Sequence, residues 1–400
     1  MSRIARIARI ARIGLSALLL APLGCSPIPN AGAGPPSPVD GATNNGPLSF
    51  TPSNVDLSGI DLTKVGDFVV DGDCSIDTDS NLASCGDGAS VLGFKLATQS
   101  DGSTVAVYVA KSMTIGAGKS LSVAGSHPLV FIALETITLA GSLNGNSREE
   151  VGIAGGYSRQ SQMPQRAQGA GPGGGGAGTD GTASGGGSYC GIGGAGGVES
   201  GPRASGGAAY GIPEITPLVA GSAGGDIGGA GGGAIQLVAG TSITIKAAGL
   251  IHVGAGGGGF GGISTQNAAG GGSGGSILLE SLAVSVAGTL AANGGGGGAG
   301  TSDGIGSAPP QDPGGANSTG NATPAMGGKA GVGPSSGGNG SAAASVNGTA
   351  GAFTAGNNDA AGGGGGGAGR IRINTKTAAT LSGVLSPAAT TPCLTQGTVH

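Results

Sequence analysis

The 400-residue chain holds 94 glycines and 21 prolines, only 2% aromatic residues, no Trp, and a formal net charge of −4. Such a composition is low-complexity, excludes a core built on aromatics, and leaves no basic patch for nucleic acid. Charged residues make up only 10%, too few for the self-repelling chain of an ordinary disordered protein.

Residues 1–24 read as a signal peptide. Arg3, Arg6, Arg9 and Arg12 form a basic stretch without acids, and the apolar run from Leu15 to Gly24 ends at Cys25. A membrane span needs about 20 apolar residues, so this short run is an export signal. Ala21-Pro22-Leu23-Gly24-Cys25-Ser26 resembles a bacterial lipobox, with Gly24 in place and Pro22 and Leu23 departing from the usual residues. The resemblance implies acylation of Cys25, attachment to a membrane that the chain does not span, and outer-membrane sorting through Ser26. Ordinary cleavage at Ala31-Gly32-Ala33 is the alternative and would give a secreted product. Residues 25–50, with Pro27, Pro29, Pro35, Pro36, Pro38 and Pro47, form a stiff Pro/Gly-rich tether.

Four further cysteines, Cys74, Cys85, Cys190 and Cys393, form an even set. In an exported protein they are expected as two disulfides, with three alternative pairings. Proximity favours Cys74 with Cys85, which leaves Cys190 for Cys393. With no C-x-x-C and no neighbouring His, neither a metal nor another cofactor is expected.

Residues 51–104 hold short alternating runs at Phe68–Val70, Ser75–Asp77 and Gly93–Leu96, read as an N-terminal β cap. From 105 to 387 one pattern recurs five times, starting at Val105, Leu129, Ala234, Ser276 and Arg370. Each copy is an alternating run, a small break, a second run, a Gly or Ala corner and a third run. Period-two alternation points one set of side chains to one sheet face. Three such strands in about 20–25 residues describe one coil of a right-handed parallel β-helix, a solenoid; a β-sandwich is the alternative. Glycine-rich inserts at 148–232, 257–274 and 297–368 all leave the pattern after a third strand. With few apolar side chains to bury and much backbone entropy to lose, they are expected to be mobile unless backbone hydrogen bonds pack them. Residues 388–400 form a C-terminal tail.

Catalytic and metal-binding patterns are weak. Gly175–Ala183 nearly matches the calcium-binding nonapeptide, but Thr182 replaces its hydrophobic residue and no second copy follows. Asp77-Thr78-Asp79-Ser80-Asn81 opens like an EF-hand loop, yet Leu82 and Gly88 stand where that loop needs Gly and Glu. A carbohydrate-active β-helix needs clustered carboxylates on neighbouring coils; the coil strands offer Glu135, Glu280, Lys246, Arg370 and Arg372 with no recurring acid. His127 falls in a turn before Pro128, and His252, alternating with Ile251 and Val253, is expected to face solvent. Arg370 and Arg372 are expected to point outward opposite Ile371 and Ile373. No catalytic site is expected.

The stretches "PLVFIALETITLAGSLNGN", "GGGSGGSILLESLAVSVAGTLAANGGGGG" and "GGGGGGAGRIRIN" resemble glycine-rich bacterial surface lipoproteins of the type labelled PE-PGRS-like. The likeness covers about 105–385; the N-terminus has nothing of the helical leader of the mycobacterial proteins behind that label. It implies a cell-surface location and supplies no catalytic residues. The functional expectation is an exported, lipid-anchored structural or adhesive surface protein, its partners being the membrane and glycans or other surface proteins. The alternative is a carbohydrate-binding or carbohydrate-active β-helix protein.

Overall fold

The computed structural model describes residues 47–85, 91–158, 166–179, 181–260, 268–300, 315–329, 335–353 and 361–399. The signal peptide, Cys25 and nearly all of the tether lie outside them. Four strands precede the repeats: β1 (Asp67–Val70), β2 (Asp73–Asp77), β3 (Leu82–Ser84) and β4 (Gly93–Thr98). The first copy forms β5 (Thr104–Ala110), β6 (Ser112–Ile115) and β7 (Ser120–Ala124). The second forms β8 (Leu129–Ala133), β9 (Thr136–Leu139) and β10 (Ser142–Asn144). The third and fourth form β11 (Ala234–Ile245), β12 (Leu250–His252), β13 (Ser276–Val286) and β14 (Thr289–Ala291). The last forms β15 (Arg370–Thr375), β16 (Thr380–Leu381) and β17 (Val384–Ser386), followed by β18 (Leu394–Gly397).

Equivalent strands pair in register. Ala106 lies beside Leu129, Leu129 beside Ile235, Ile235 beside Ile277 and Ile277 beside Ile371, all in parallel. In the third runs Leu121, Leu143, Ile251, Leu290 and Leu385 form a second parallel row.

The architecture nevertheless differs from the expected right-handed parallel β-helix. The strands join as two mixed sheets, one of eleven strands and one of seven, in an all-β fold. β11 and β13 run through the break that the sequence places between first and second strands, with one irregularity between Ala239 and Ser242. That continuity fuses the first two runs of the copies into one curled sheet, and the third runs make the other. β2 with β3 and β4 with β5 are antiparallel. An antiparallel β-sandwich does not describe the fold either, since the copies pair in parallel. The expected C-terminal tail includes a strand, with β18 parallel to β15.

Two apolar clusters account for the runs. Between the sheets lies a core including Phe68, Ile115, Leu121, Phe131, Ile137, Ile243, Ile251, Leu279 and Ile373. The opposite face of β5 and β8 contributes Val105, Val107, Val109, Val130 and Ile132 to a second cluster with Leu48, Phe50, Val55, Ile215 and Leu218. Burial on both faces explains why these two strands read as continuous apolar runs.

The glycine-rich inserts are packed where they are described. Gly185, Gly186 and Gly187 donate backbone hydrogen bonds in turn to Gly176, Gly194 and Gly271. Three residues away, Ala183, Ser184 and Ser188 return to the same three neighbouring segments, through Gly197, Ala268 and Gly173. The tract at 362–367 repeats the rule: Gly362 and Gly365 donate to Ala352 and Thr349, Gly363 and Gly366 to Gly298 and Gly295, Gly364 and Gly367 to Ser184 and Gly187. A donor direction that returns every third residue is that of a left-handed helix with three residues per turn, the polyproline II geometry. Packed side by side, such helices satisfy one another's amides, as an isolated one cannot. Glycine is required because the helices touch backbone to backbone: a Cβ on Gly364 would lie 2.0 Å from the Gly194 carbonyl oxygen. The expectation of mobile inserts gives way to the exception it carried, in which backbone hydrogen bonding substitutes for side-chain burial.

Candidate functional site

Both cysteine pairs are bonded, Cys74 to Cys85 and Cys190 to Cys393. The first links the end of β3 to β2. The second ties an insert, at a residue whose amide bonds Ala368, to the start of β18 across 203 residues of sequence.

The acidic turn is used by the protein itself. Asp77 accepts from the Asp79 amide and the Ser80 hydroxyl. Asp79 Oδ1 accepts from the amide and hydroxyl of Ser126 and meets His127 Nδ1 at 2.8 Å. The serine hydroxyl therefore bonds the carboxylate rather than the imidazole, so Ser126, His127 and Asp79 form no nucleophilic relay. Described residues of the nonapeptide-like stretch belong to the glycine bundle, with Thr179 and Thr182 bridged to each other. Among the described residues no three His, Cys, Asp or Glu side chains converge as metal ligands.

Glu135 is exposed and 3.8 Å from Lys111, and Lys246 is also exposed. Three other polar groups expected on outer faces avoid the core but are buried or half-buried. His252 is 6% exposed, with Nε2 3.3 Å from the Ser318 hydroxyl in the third insert. Burial, with Arg148 adding to it, pushes its pKa down to about 4, so the ring is neutral at pH 7. Arg370 is half-buried over the Tyr189 ring, 5.5 Å from its centroid, and donates to the carbonyls of Tyr210 and Gly211. Arg372 turns along its own strand, its Nε donating to Asn374 Oδ1 at 2.7 Å. Ile371 and Ile373 do face the core.

Glu280, on β13, is 2% exposed, and no cation pairs with it among the described residues. Its carboxylate instead accepts four hydrogen bonds. Ser53 Oγ and Asn374 Nδ2 reach Oε1 at 2.6 and 3.0 Å; Gln236 Nε2 and Ser53 N reach Oε2 at 2.7 and 3.0 Å. Strand register explains the meeting: Glu280 sits beside Asn374 and Val238, and Gln236 lies two residues before Val238 on the same face. Residues 53–54 close over this face, with Gln236 Nε2 also donating to the Ser53 carbonyl and Asn54 Nδ2 donating to Gln236 Oε1. Four donors keep a buried carboxylate solvated without a counter-ion.

Beside this cluster opens a groove of about 530 Å³ lined by Pro52, Asn54, Val55, Asp56, Ser58, Lys95, Ala97, Thr98, Ser100 and Thr216. Lys95 Nζ lies 2.9 Å from Asp56 Oδ1. Ser58 and Lys95, by hydrogen bonds and charge, hold the Asp56 pKa down to about 2, so a carboxylate and an ammonium both face the groove. Sequence reading missed the groove because its walls come from three distant segments with no shared motif. The chain matches no protein family, no curated protein and no solved structure.

Proposed function

We propose that this chain is an exported structural or adhesive protein of the cell surface, held to a membrane through a lipid on Cys25. The observation that carries the proposal is the disulfide pair, which fits an extracellular or otherwise oxidising environment. The glycine bundle supports it, because backbone hydrogen bonds and two cross-links give rigidity without cofactor or charge. The resemblance to glycine-rich surface lipoproteins enters on the same terms. The role includes no catalysis on other molecules: the carboxylates of Asp79 and Glu280 are engaged by donors of this chain. Protease treatment of intact cells tests the proposal, with loss of the protein expected; complete protection until lysis contradicts surface exposure. Metabolic labelling with an acyl analogue tests Cys25, and labelling that persists in Cys25→Ala contradicts the anchor.

The groove favours one second reading, glycan binding. A carboxylate, an ammonium, an amide and hydroxyls around Pro52 and Val55 suit sugar hydroxyls on one side and a sugar's apolar face on the other. A glycan array compares wild type with Asp56→Ala; binding that the substitution leaves unchanged excludes the groove.

A further inference from the structure

The cluster around Glu280 holds more than a satisfied carboxylate. It sets a hydroxyl and a side-chain amide on the two oxygens of one buried carboxylate, a base. Ser53 Oγ donates to one oxygen of Glu280 and Gln236 Nε2 to the other, at 2.6 and 2.7 Å. Gln236 Nε2 also donates to the Ser53 carbonyl at 2.8 Å, which fixes the amide against the serine. Asn54 Nδ2 donates to Gln236 Oε1 at 3.1 Å and so polarises the amide carbonyl. Asn54 has φ +65, a left-handed conformation in which Asn is among the few tolerated side chains.

We propose that Ser53 and Gln236 become joined by an intramolecular ester, formed by the folded protein itself. Glu280 takes the proton of the Ser53 hydroxyl as Oγ attacks Gln236 Cδ. The charge that develops on Oε1 is met by the Asn54 amide, already in position. The tetrahedral centre collapses with cleavage of the Cδ–Nε2 bond, and Glu280 delivers the proton to the departing nitrogen. One ammonia leaves, one ester forms, and no oxidant, metal or co-reactant is consumed. Holding the reactants in a buried site converts a slow encounter into a unimolecular step, a gain that reaches effective molarities of about 10⁵ M or more in favourable cases. Burial also keeps water from the product: Glu280 and Gln236 are nearly inaccessible, at 2% and 0%. The bond would fasten the segment that follows the tether to β11, at the centre of the larger sheet. Asn374 touches the same carboxylate but accepts from Arg372 and lies on β15, so Gln236 is the assigned acyl donor.

Peptide mapping of the mature full-length protein tests this. Expected is a branched tryptic peptide in which the fragment ending at Lys64 is joined to the fragment ending at Lys246, lighter by one ammonia than the two together. Hydroxylamine should separate them and leave a hydroxamate at Gln236, which distinguishes the ester from ammonia loss at an asparagine. Glu280→Gln and Ser53→Ala should abolish the branched peptide, and Ser53→Thr should retain it. Linear peptides alone, with Gln236 unmodified in folded wild type, overturn the proposal and reduce the cluster to a hydrogen-bonded clamp. A link at Asn374 overturns the assignment of the acyl donor.

Discussion

Replacing one glycine in the bundle by alanine separates backbone-packed helices from loosely held loops. Gly364 donates to the Ser184 carbonyl and accepts from the Gly271 amide, both at 2.9 Å, and its Cβ would lie 2.0 Å from the Gly194 oxygen. Contacts under 3.0 Å are essentially never seen for real Cβ atoms, so the helices must separate by about 1 Å. Gly194 is itself bonded to Gly365 at 2.7 Å, so the movement strains bonds to several segments at once. Overpacking costs about 1–3 kcal/mol, and two weakened buried hydrogen bonds add about 0.5–1.5 each. The lower entropy of the unfolded alanine chain returns about 0.4–1 kcal/mol. The net expectation for Gly364→Ala is a loss of about 3 kcal/mol. Gly72, with nothing within 4 Å of an added Cβ, is the control, and Gly72→Ala should be neutral or stabilising by up to about 1 kcal/mol. Denaturant unfolding of the oxidised proteins reads both. If Gly364→Ala unfolds within about 0.5 kcal/mol of wild type, the ordinary range for exposed sites, the packing argument fails.

Two further outcomes follow from the cross-links and the buried histidine. Removing the Cys190–Cys393 bridge, which spans 203 residues, should destabilise by about 5 kcal/mol on loop entropy, against about 3 for the 11-residue Cys74–Cys85 loop. Equal losses in paired Cys→Ser variants would contradict that ordering. For His252 the folded pKa of about 4 lies below the ordinary 6.5, so below pH 6.5 the unfolded chain takes up a proton that the folded one refuses. Stability should therefore be full above pH 6.5 and fall by up to about 3 kcal/mol as pH drops to 4. His252→Gln should flatten that stretch of the stability profile; an unchanged slope would place the titration elsewhere.

The strands were legible because alternation survives inside each copy: Ile371 and Ile373, Ile243 and Ile245, Leu121 and Val123 all face the core as their period requires. The continuous apolar runs of β5 and β8 carried a further signal, burial on both faces, which the second apolar cluster accounts for. The two-sheet architecture was not legible, because whether the chain turns or continues at Ala239–Ser242 depends on backbone angles that small residues leave open. The expected solvent exposure failed for His252 and Arg370, and Glu280 shares their setting: each lies opposite core residues, and each is covered by a segment remote in sequence, near Ser318, Gly211 and Ser53 respectively. Alternation tells which side chains avoid the core; it does not tell whether another layer lies beyond them. The glycine tracts gave no side-chain signal at all, since their order resides in amides and carbonyls.

Amide hydrogen exchange across the glycine tracts therefore tests the account most directly. Residues 183–188, 268–274 and 362–369 donate to neighbouring segments with the three-residue return described above. Their amides should be protected to a degree comparable with those of β11 and β13, and protection should fall together when denaturant unfolds the sheets. Exchange at the rate of an unstructured glycine chain, while β11 and β13 stay protected, would contradict the packed bundle.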